Sequence, residues 1–344
     1  MSTTTNITQR SLEPIGKNLV GIIGGSGIND SPLFNNAAWY EFNTNYTNKY
    51  GDGRVYAQID ESKGVVFIPR HGIPEVCRFG PSNTQYAANI IALERLGVTC
   101  VIAVSACGSL HNTINVASLV VPDDYIDETN RNDNLFEEGL VVHANPIPPF
   151  SQGLRKILIT SANVWEKQGK YMSCYSTFFD GVHTQGTYVA IPGDRFGTKA
   201  EGLRRAQYAS VVGMTICPEA SMALQAGLHY AVAAIPVDAN LDANHESQTL
   251  AVMKELSSPE KLPAYISRVV EQTKEFAKTA GPISQLKGNI IPGNLCNIKN
   301  DCLHQIAKKL ISIYCQKTDA NLSTHIHNIL DEDHEDQLEP ALEI

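Results

Sequence analysis

The first apolar run of the chain, NLVGIIGGSGI at 18–28, is short and closes on glycine, which predicts a strand entering a tight turn. RVYAQID and GVVFIP, within 53–69, read as two further strands around a polar turn. At 82–97 the apolar positions recur at helical spacing and Gly97 supplies a stop. The run VTCVIAVSAC at 98–107 is apolar without alternation, as expected of a strand buried on both faces. Strands are predicted at 116–127, 186–191, 211–216 and 230–238, and helices at 153–169, 198–209 and from Pro218 onward. Strands alternating with helices predict an α/β fold: one domain whose mixed, largely parallel central sheet is flanked by helices.

Polar patterning sets the boundaries. Residues 1–17 carry Ser, Thr, Asn and Pro and read as a flexible leader, 18–282 as the folded domain, and 283–344 as a C-terminal extension. That extension holds a helix candidate at 300–315 and an acidic tail. Segments 128–150 and 170–185 read as irregular additions.

Composition narrows the function classes. A net charge of −9 argues against a nucleic-acid surface, and no apolar stretch reaches the roughly 18 residues of a membrane span. The eight cysteines form no C-x-x-C pair, and the N-terminus lacks the apolar core of a secretory signal. A protein of the reducing cytoplasm, binding neither nucleic acid nor membrane, is the expectation.

In such sheets ligands sit at the carboxyl ends of the strands, and five segments put polar groups there. GIIGGSG at 21–27 fits neither G-x-G-x-x-G nor a P-loop, but its amides and Ser26 can cradle an oxyanion. PRHG at 69–72 offers Arg70 as a fork for phosphate and His71 as a neighbouring donor. VSACGSL at 104–110 ends a buried strand in small residues, with Ser105 as a further donor. VVGMTICPEASMALQAG places Thr215 at a strand end, with Pro218 and Glu219 suited to a helix start. PVDANLDANHE puts Asp238 at the end of an apolar strand, where a carboxyl is costly unless paired or used. Each segment alone also fits a plain turn, strand end or helix cap.

In their order and spacing these segments resemble the purine nucleoside phosphorylase and methylthioadenosine phosphorylase family over about 20–250. GIIGGSG, RHG, PSNTQYAANIIAL, ACGSL, DDYID and GMTICPEASMALQAG are most similar to the methylthioadenosine branch. The resemblance implies a homotrimer that needs no cofactor, with inorganic phosphate as co-substrate. It implies phosphate ligands Ser26, Arg70, His71, Ser105, Ala106 and Thr215, Met214 under the pentose and Phe196 against the base. His143 would reach a neighbouring subunit's site, Asp238 would protonate or hydrogen-bond the leaving purine at N7, and Asn240 would lie near the base.

The sequence departs from that branch at Pro192 and Asp194, and at Asn240 where a second acidic residue is usual. Ala251 and Lys254 stand where apolar residues are expected around the 5′ end. The leading expectation is a pentosyltransferase that cleaves a 6-aminopurine nucleoside, 5′-methylthioadenosine or a near relative. A 6-oxopurine phosphorylase and a non-catalytic nucleoside-binding homologue are the other readings. The 6-oxopurine branch resembles this sequence with Glu following Phe196, where Gly197 stands here.

Overall fold

A computed structural model describes residues 6–25, 28, 34, 37–49, 51–73, 76–162, 167–168, 173–174, 176–239 and 245–315. Its organising element is the strand Val98–Ser109, whose apolar residues alternate between two cores. Val101, Ala103 and Cys107 face one, and Cys100, Ile102 and Val104 face the other. It lies between Leu19–Gly24 and His229–Ala239, parallel to both, and Leu19–Gly24 pairs in parallel with Val65–Pro69. All four strands therefore end on one edge.

Antiparallel strands Arg54–Asp60 and Ala38–Asn43 extend this parallel centre on one side. On the other, Leu119–Val120 runs antiparallel to His229–Ala239. Past the central strand's midpoint Val211–Gly213 joins it antiparallel, carrying Thr187–Ala190 and Asp124–Asp127 alongside. The α/β class and the mixed, largely parallel sheet are as the sequence predicts.

Helices cover both faces. Tyr86–Arg95, Glu219–Gln225 and Asp301–Tyr314 pack on the Val101 side, and Gln152–Ser161 and Leu262–Thr279 on the Ile102 side. Leu262–Thr279 buries Leu262, Tyr265, Ile266, Val269, Val270 and Ala277, a stripe at helical spacing. Each large apolar side chain so buried contributes about 1.5–3 kcal/mol.

Several elements differ from expectation. Within 1–17, Ile7–Gln9 pairs in parallel with Ala38–Asn43, and Leu12 and Ile15 pack on the core. From residue 7 the leader is thus part of the fold. The C-terminal helix Asp301–Tyr314 sinks Leu303, Ile306, Ala307, Leu310 and Ile311 into the main core, so this part of 283–344 is no appendage. The strand predicted at 116–127 is two short strands, because Pro122 has no N–H for a ladder. Helix 153–169 stops at Ser161, helix 198–209 at Arg205, and strand 211–216 at Gly213. Within 128–150, Leu140–Val142 pairs with Ile290–Pro292.

Candidate active site

Arg70 follows the buried strand Val65–Pro69, and its N–H donates to the Gly24 carbonyl at 2.8 Å. That extends the pairing one residue past the strand and draws the side chain inward, where it is 2 % exposed. The guanidinium donates from Nε and Nη2 to the two carboxylate oxygens of Glu219, at 2.8 and 2.9 Å, and from Nη1 to Val104 O at 3.0 Å. Burial works against its charge, and the Glu219 carboxylate more than offsets that, so its pKa rises. Of a guanidinium's five N–H groups three are engaged, leaving one each on Nη1 and Nη2. Glu219, which in sequence reads as a helix-start residue, is fully buried and also accepts from Tyr230 Oη at 2.8 Å.

His71 lies 3.0 Å from the Phe79 carbonyl through Nδ1. A carbonyl only accepts, so Nδ1 carries the proton and Nε2, on the side of Gly25, is an acceptor in the neutral ring. Burial first, then the charge of Arg70, pushes the pKa down to about 4. The ring expected as a donor toward a ligand spends its one proton on the Phe79 carbonyl, so near pH 7 its Nε2 can only accept a hydrogen bond.

Strand alternation separates Ser105 from Ala106. Ala106 is the one exposed residue of Val98–Ser109, and it lines a cavity. Ser105 turns to the opposite face and hydrogen-bonds Tyr188 Oη at 3.0 Å and Thr215 Oγ1 at 3.3 Å. A Cβ on Gly213 would collide with the Tyr188 hydroxyl, which explains glycine before Met214.

The cavity occupies about 160 Å³ at the carboxyl edge of the parallel strands. Arg70, His71, Ala106 and Thr215 line it together with the Gly25 backbone. The rest of its lining is largely apolar: Ile28, Val104, Ile235 and Val237 near the sheet, and Met253, Leu256 and Leu262, with Ser257 among them, from the two helices after it. The exposed Ala251 and Lys254 are not part of it, so the apolar lining that they were expected to remove is supplied by their neighbours on the helix.

Asp238 is 5 % exposed, near the end of His229–Ala239. A bulge at Val237 interrupts the register, with Pro236 opposite Cys107 and Asp238 opposite Gly108. Val237 faces the cavity, and the Asp238 charge is felt by Cys107, whose thiol burial first and then Asp238 push up.

The other expected residues are not gathered round the cavity within one chain. Met214 packs against the small cluster of Leu110, Val189 and Val212. Phe196 is 59 % exposed, on a loop fastened by the Arg195–Glu201 ion pair. His143 is exposed beside the Leu140–Val142 strand, its N–H donating to Asn289 O at 2.8 Å. Ser26 and Asn240 lie outside the described residues. Among the described residues, no three His, Cys, Asp or Glu side chains gather to hold a metal ion, and no helix is long and apolar enough to cross a membrane.

Sequence reasoning missed Glu219 as the partner of Arg70. The available signal was the arginine itself: closing a strand as apolar as VVFIP, it needs a buried counter-charge.

Comparison with known proteins identifies the family. Residues 19–270 match the family described as the phosphorylase superfamily. The S-methyl-5′-thioadenosine phosphorylase of Hyperthermus butylicus is 37% identical over 261 residues, covering 74% of this chain and 88% of that protein. The enzyme of that name from Saccharolobus solfataricus is 34% identical over 274 residues, covering 77% of this chain and 94% of that protein. Among solved structures, methylthioadenosine phosphorylase from Schistosoma mansoni in complex with tubercidin aligns with a TM-score of 0.60 at 29% identity, over 76% of this chain and 96% of that one. One from an antarctic soil metagenomic library aligns at 0.63 and 26% identity, over 86% of this chain and 99% of that one. The chain belongs to the phosphorylase superfamily.

Proposed function

We propose that this protein is a pentosyltransferase that cleaves 5′-methylthioadenosine with inorganic phosphate, giving adenine and 5-methylthioribose 1-phosphate. One observation carries the reading: a single cavity is lined both by polar side chains (Arg70, His71, Thr215), with Ala106 beside them, and by apolar ones (Met253, Leu256, Leu262). The polar groups suit phosphate and the apolar ones suit a thioether. The relatives named as phosphorylases of this nucleoside support it.

In this reading the N–H groups left on Arg70, the Thr215 hydroxyl and the backbone at Ala106 hold phosphate, with Ser26 as a further ligand. Ser105 orients Thr215 through their hydrogen bond. A phosphate oxygen forms the new bond to C1′ as the C1′–N9 bond breaks. The electron pair passes into the purine, and Asp238 relieves its charge by protonating or hydrogen-bonding N7. Cationic character at C1′ is stabilised by the phosphate held against it, so positioning and electrostatics supply most of the acceleration.

Met214, Phe196 and Asn240 bound the nucleoside, and His143, exposed on this chain, reaches the site of a neighbour in a homotrimer. No organic cofactor or metal takes part in this scheme. The test is release of adenine from 5′-methylthioadenosine, with adenosine and inosine alongside, with and without phosphate. Phosphate-dependent adenine release supports the reading; phosphate-independent release, or faster cleavage of inosine, overturns it.

A further inference from the structure

Arg131 stands outside the cavity, in the loop after Asp124–Asp127, and three carbonyls converge on it. Nη1 donates to Met214 O at 2.7 Å and to Cys217 O at 2.6 Å, and Nη2 donates to Pro192 O at 2.5 Å. The guanidinium carbon lies 5.2 Å from the centre of the Tyr86 ring. Its loop is pinned on both sides: Glu128 N–H bonds Ala190 O at 2.9 Å, and Leu135 N–H bonds Gln225 Oε1 at 2.8 Å.

The three carbonyls belong to two segments with different work in the proposed function. Met214 and Cys217 flank Thr215, a phosphate ligand in that function, on a turn whose Met214 side chain also bounds the nucleoside. Pro192 begins the loop that carries Phe196, on the base side. The two segments touch directly, since a Cβ on Gly193 would lie 2.8 Å from Met214 Sδ. Ser82 is a second grip on the same loop: its one hydroxyl proton is shared between Pro192 O and Gly193 O, each 3.1 Å from Oγ.

We propose that Arg131 is a positioning residue that couples the two substrates: it locks the base-side loop to the turn that carries Thr215, so that ordering either one orders the other. A planar, permanently charged fork spans three carbonyls in divergent directions, which a lysine ammonium cannot do in the same geometry. The inference rests on the proposed function. It adds that occupancy of the base subsite tightens phosphate binding, and reciprocally.

The test measures phosphate binding by calorimetry with and without saturating adenine, and steady-state kinetics with both substrates, on wild type, Arg131→Lys and Ser82→Ala. In the wild type, adenine should tighten phosphate by about fivefold or more. In Arg131→Lys that factor should fall to near one, with kcat down by about a hundredfold from misplacement, while thermal melting confirms a folded protein. Ser82→Ala, which removes only the second grip on the loop, should lose part of the coupling and covers the case of an Arg131 variant that fails to fold. Coupling and kcat unchanged in both variants, or a lower melting temperature with unchanged kinetics, overturns the role of Arg131. A wild type that cleaves the nucleoside without coupling overturns it too and leaves the proposed function standing. A wild type with no phosphate-dependent cleavage overturns both.

Discussion

Glu219 and Arg70 lie 149 positions apart in the chain and meet as a buried two-pronged ion pair, with N···O distances of 2.8 and 2.9 Å. The pair faces two ways. Glu219 anchors one edge of the guanidinium in the core, and the remaining N–H groups belong to a side chain that lines the cavity. In the proposed function the charge that is expensive to bury is thereby held for phosphate.

This arrangement separates stability from activity. Glu219→Gln leaves an uncompensated guanidinium and should cost about 3–5 kcal/mol in urea unfolding. Arg70→Met combined with Glu219→Leu replaces the pair by apolar volume and should recover most of that loss, short of the contact with Tyr230. The double variant should still have lost phosphate-dependent turnover. If it retained phosphate-dependent activity, Arg70 would not belong to the phosphate subsite.

The His71 environment gives a pH dependence with a definite sign. The folded ring titrates near 4 and an ordinary histidine near 6.5, so between those values the unfolded chain binds more protons. The stability associated with a neutral His71 is therefore full above pH 6.5 and is lost as the pH falls toward 4. In urea unfolding at pH 7.5 and 4.5, His71→Asn should lose roughly 2–3 kcal/mol less than wild type over that span. Equal losses would show that the ring is not held neutral.

The sheet was legible because its central strands are long apolar runs closed by glycine or small residues, as at VTCVIAVSAC. Leu262–Thr279 was not, because Arg268, Glu271, Lys274 and Glu275 interrupt its apolar positions and hide a stripe that is regular once counted every third or fourth residue. The site was legible as a set of strand ends. What the sequence does not display is side-chain direction: the pleat sends Ser105 away from the face that presents Ala106, and a bulge at Val237 sets where Asp238 lies. Arg131 was hidden for a related reason, since its partners are backbone carbonyls, which carry no residue signature.

The apolar lining predicts how the 5′ group is selected. Met253 and Leu256 line the cavity from one face of the helix His245–Leu256, with Lys254 turned outward between them. Met253→Gln is close in volume but presents an amide, which a thioether cannot satisfy and a 5′-hydroxyl can. The ratio of kcat/KM for 5′-methylthioadenosine over adenosine should fall by about tenfold, the worth of one apolar contact. An unchanged ratio would place the 5′ end elsewhere.

The position after Phe196 predicts the limits of base specificity. A Cβ on Gly197 would lie 3.3 Å from Arg205 Nη1 and 3.7 Å from Glu201 Oε2. Arg205 is 6 % exposed and held by Glu128 at its Nε and Nη2, at 2.9 and 2.8 Å, while Nη1 has no hydrogen-bond partner among the described residues. The carboxylate introduced by Gly197→Glu meets that nitrogen first and is repelled by Glu201. It should therefore pair with Arg205 rather than turn to the N1–H of a 6-oxopurine. Satisfying a buried donor should raise unfolding stability by about 1 kcal/mol, while the preference for 5′-methylthioadenosine over inosine changes by less than about threefold, under 1 kcal/mol of differential binding. Adding Arg205→Met removes the competitor and should let inosine cleavage rise, since Arg204 and Tyr208 still hold Glu128. Kinetics of both variants on the two nucleosides decide the matter: a single Gly197→Glu substitution that already cleaves inosine as well as 5′-methylthioadenosine would show that Arg205 does not capture the carboxylate.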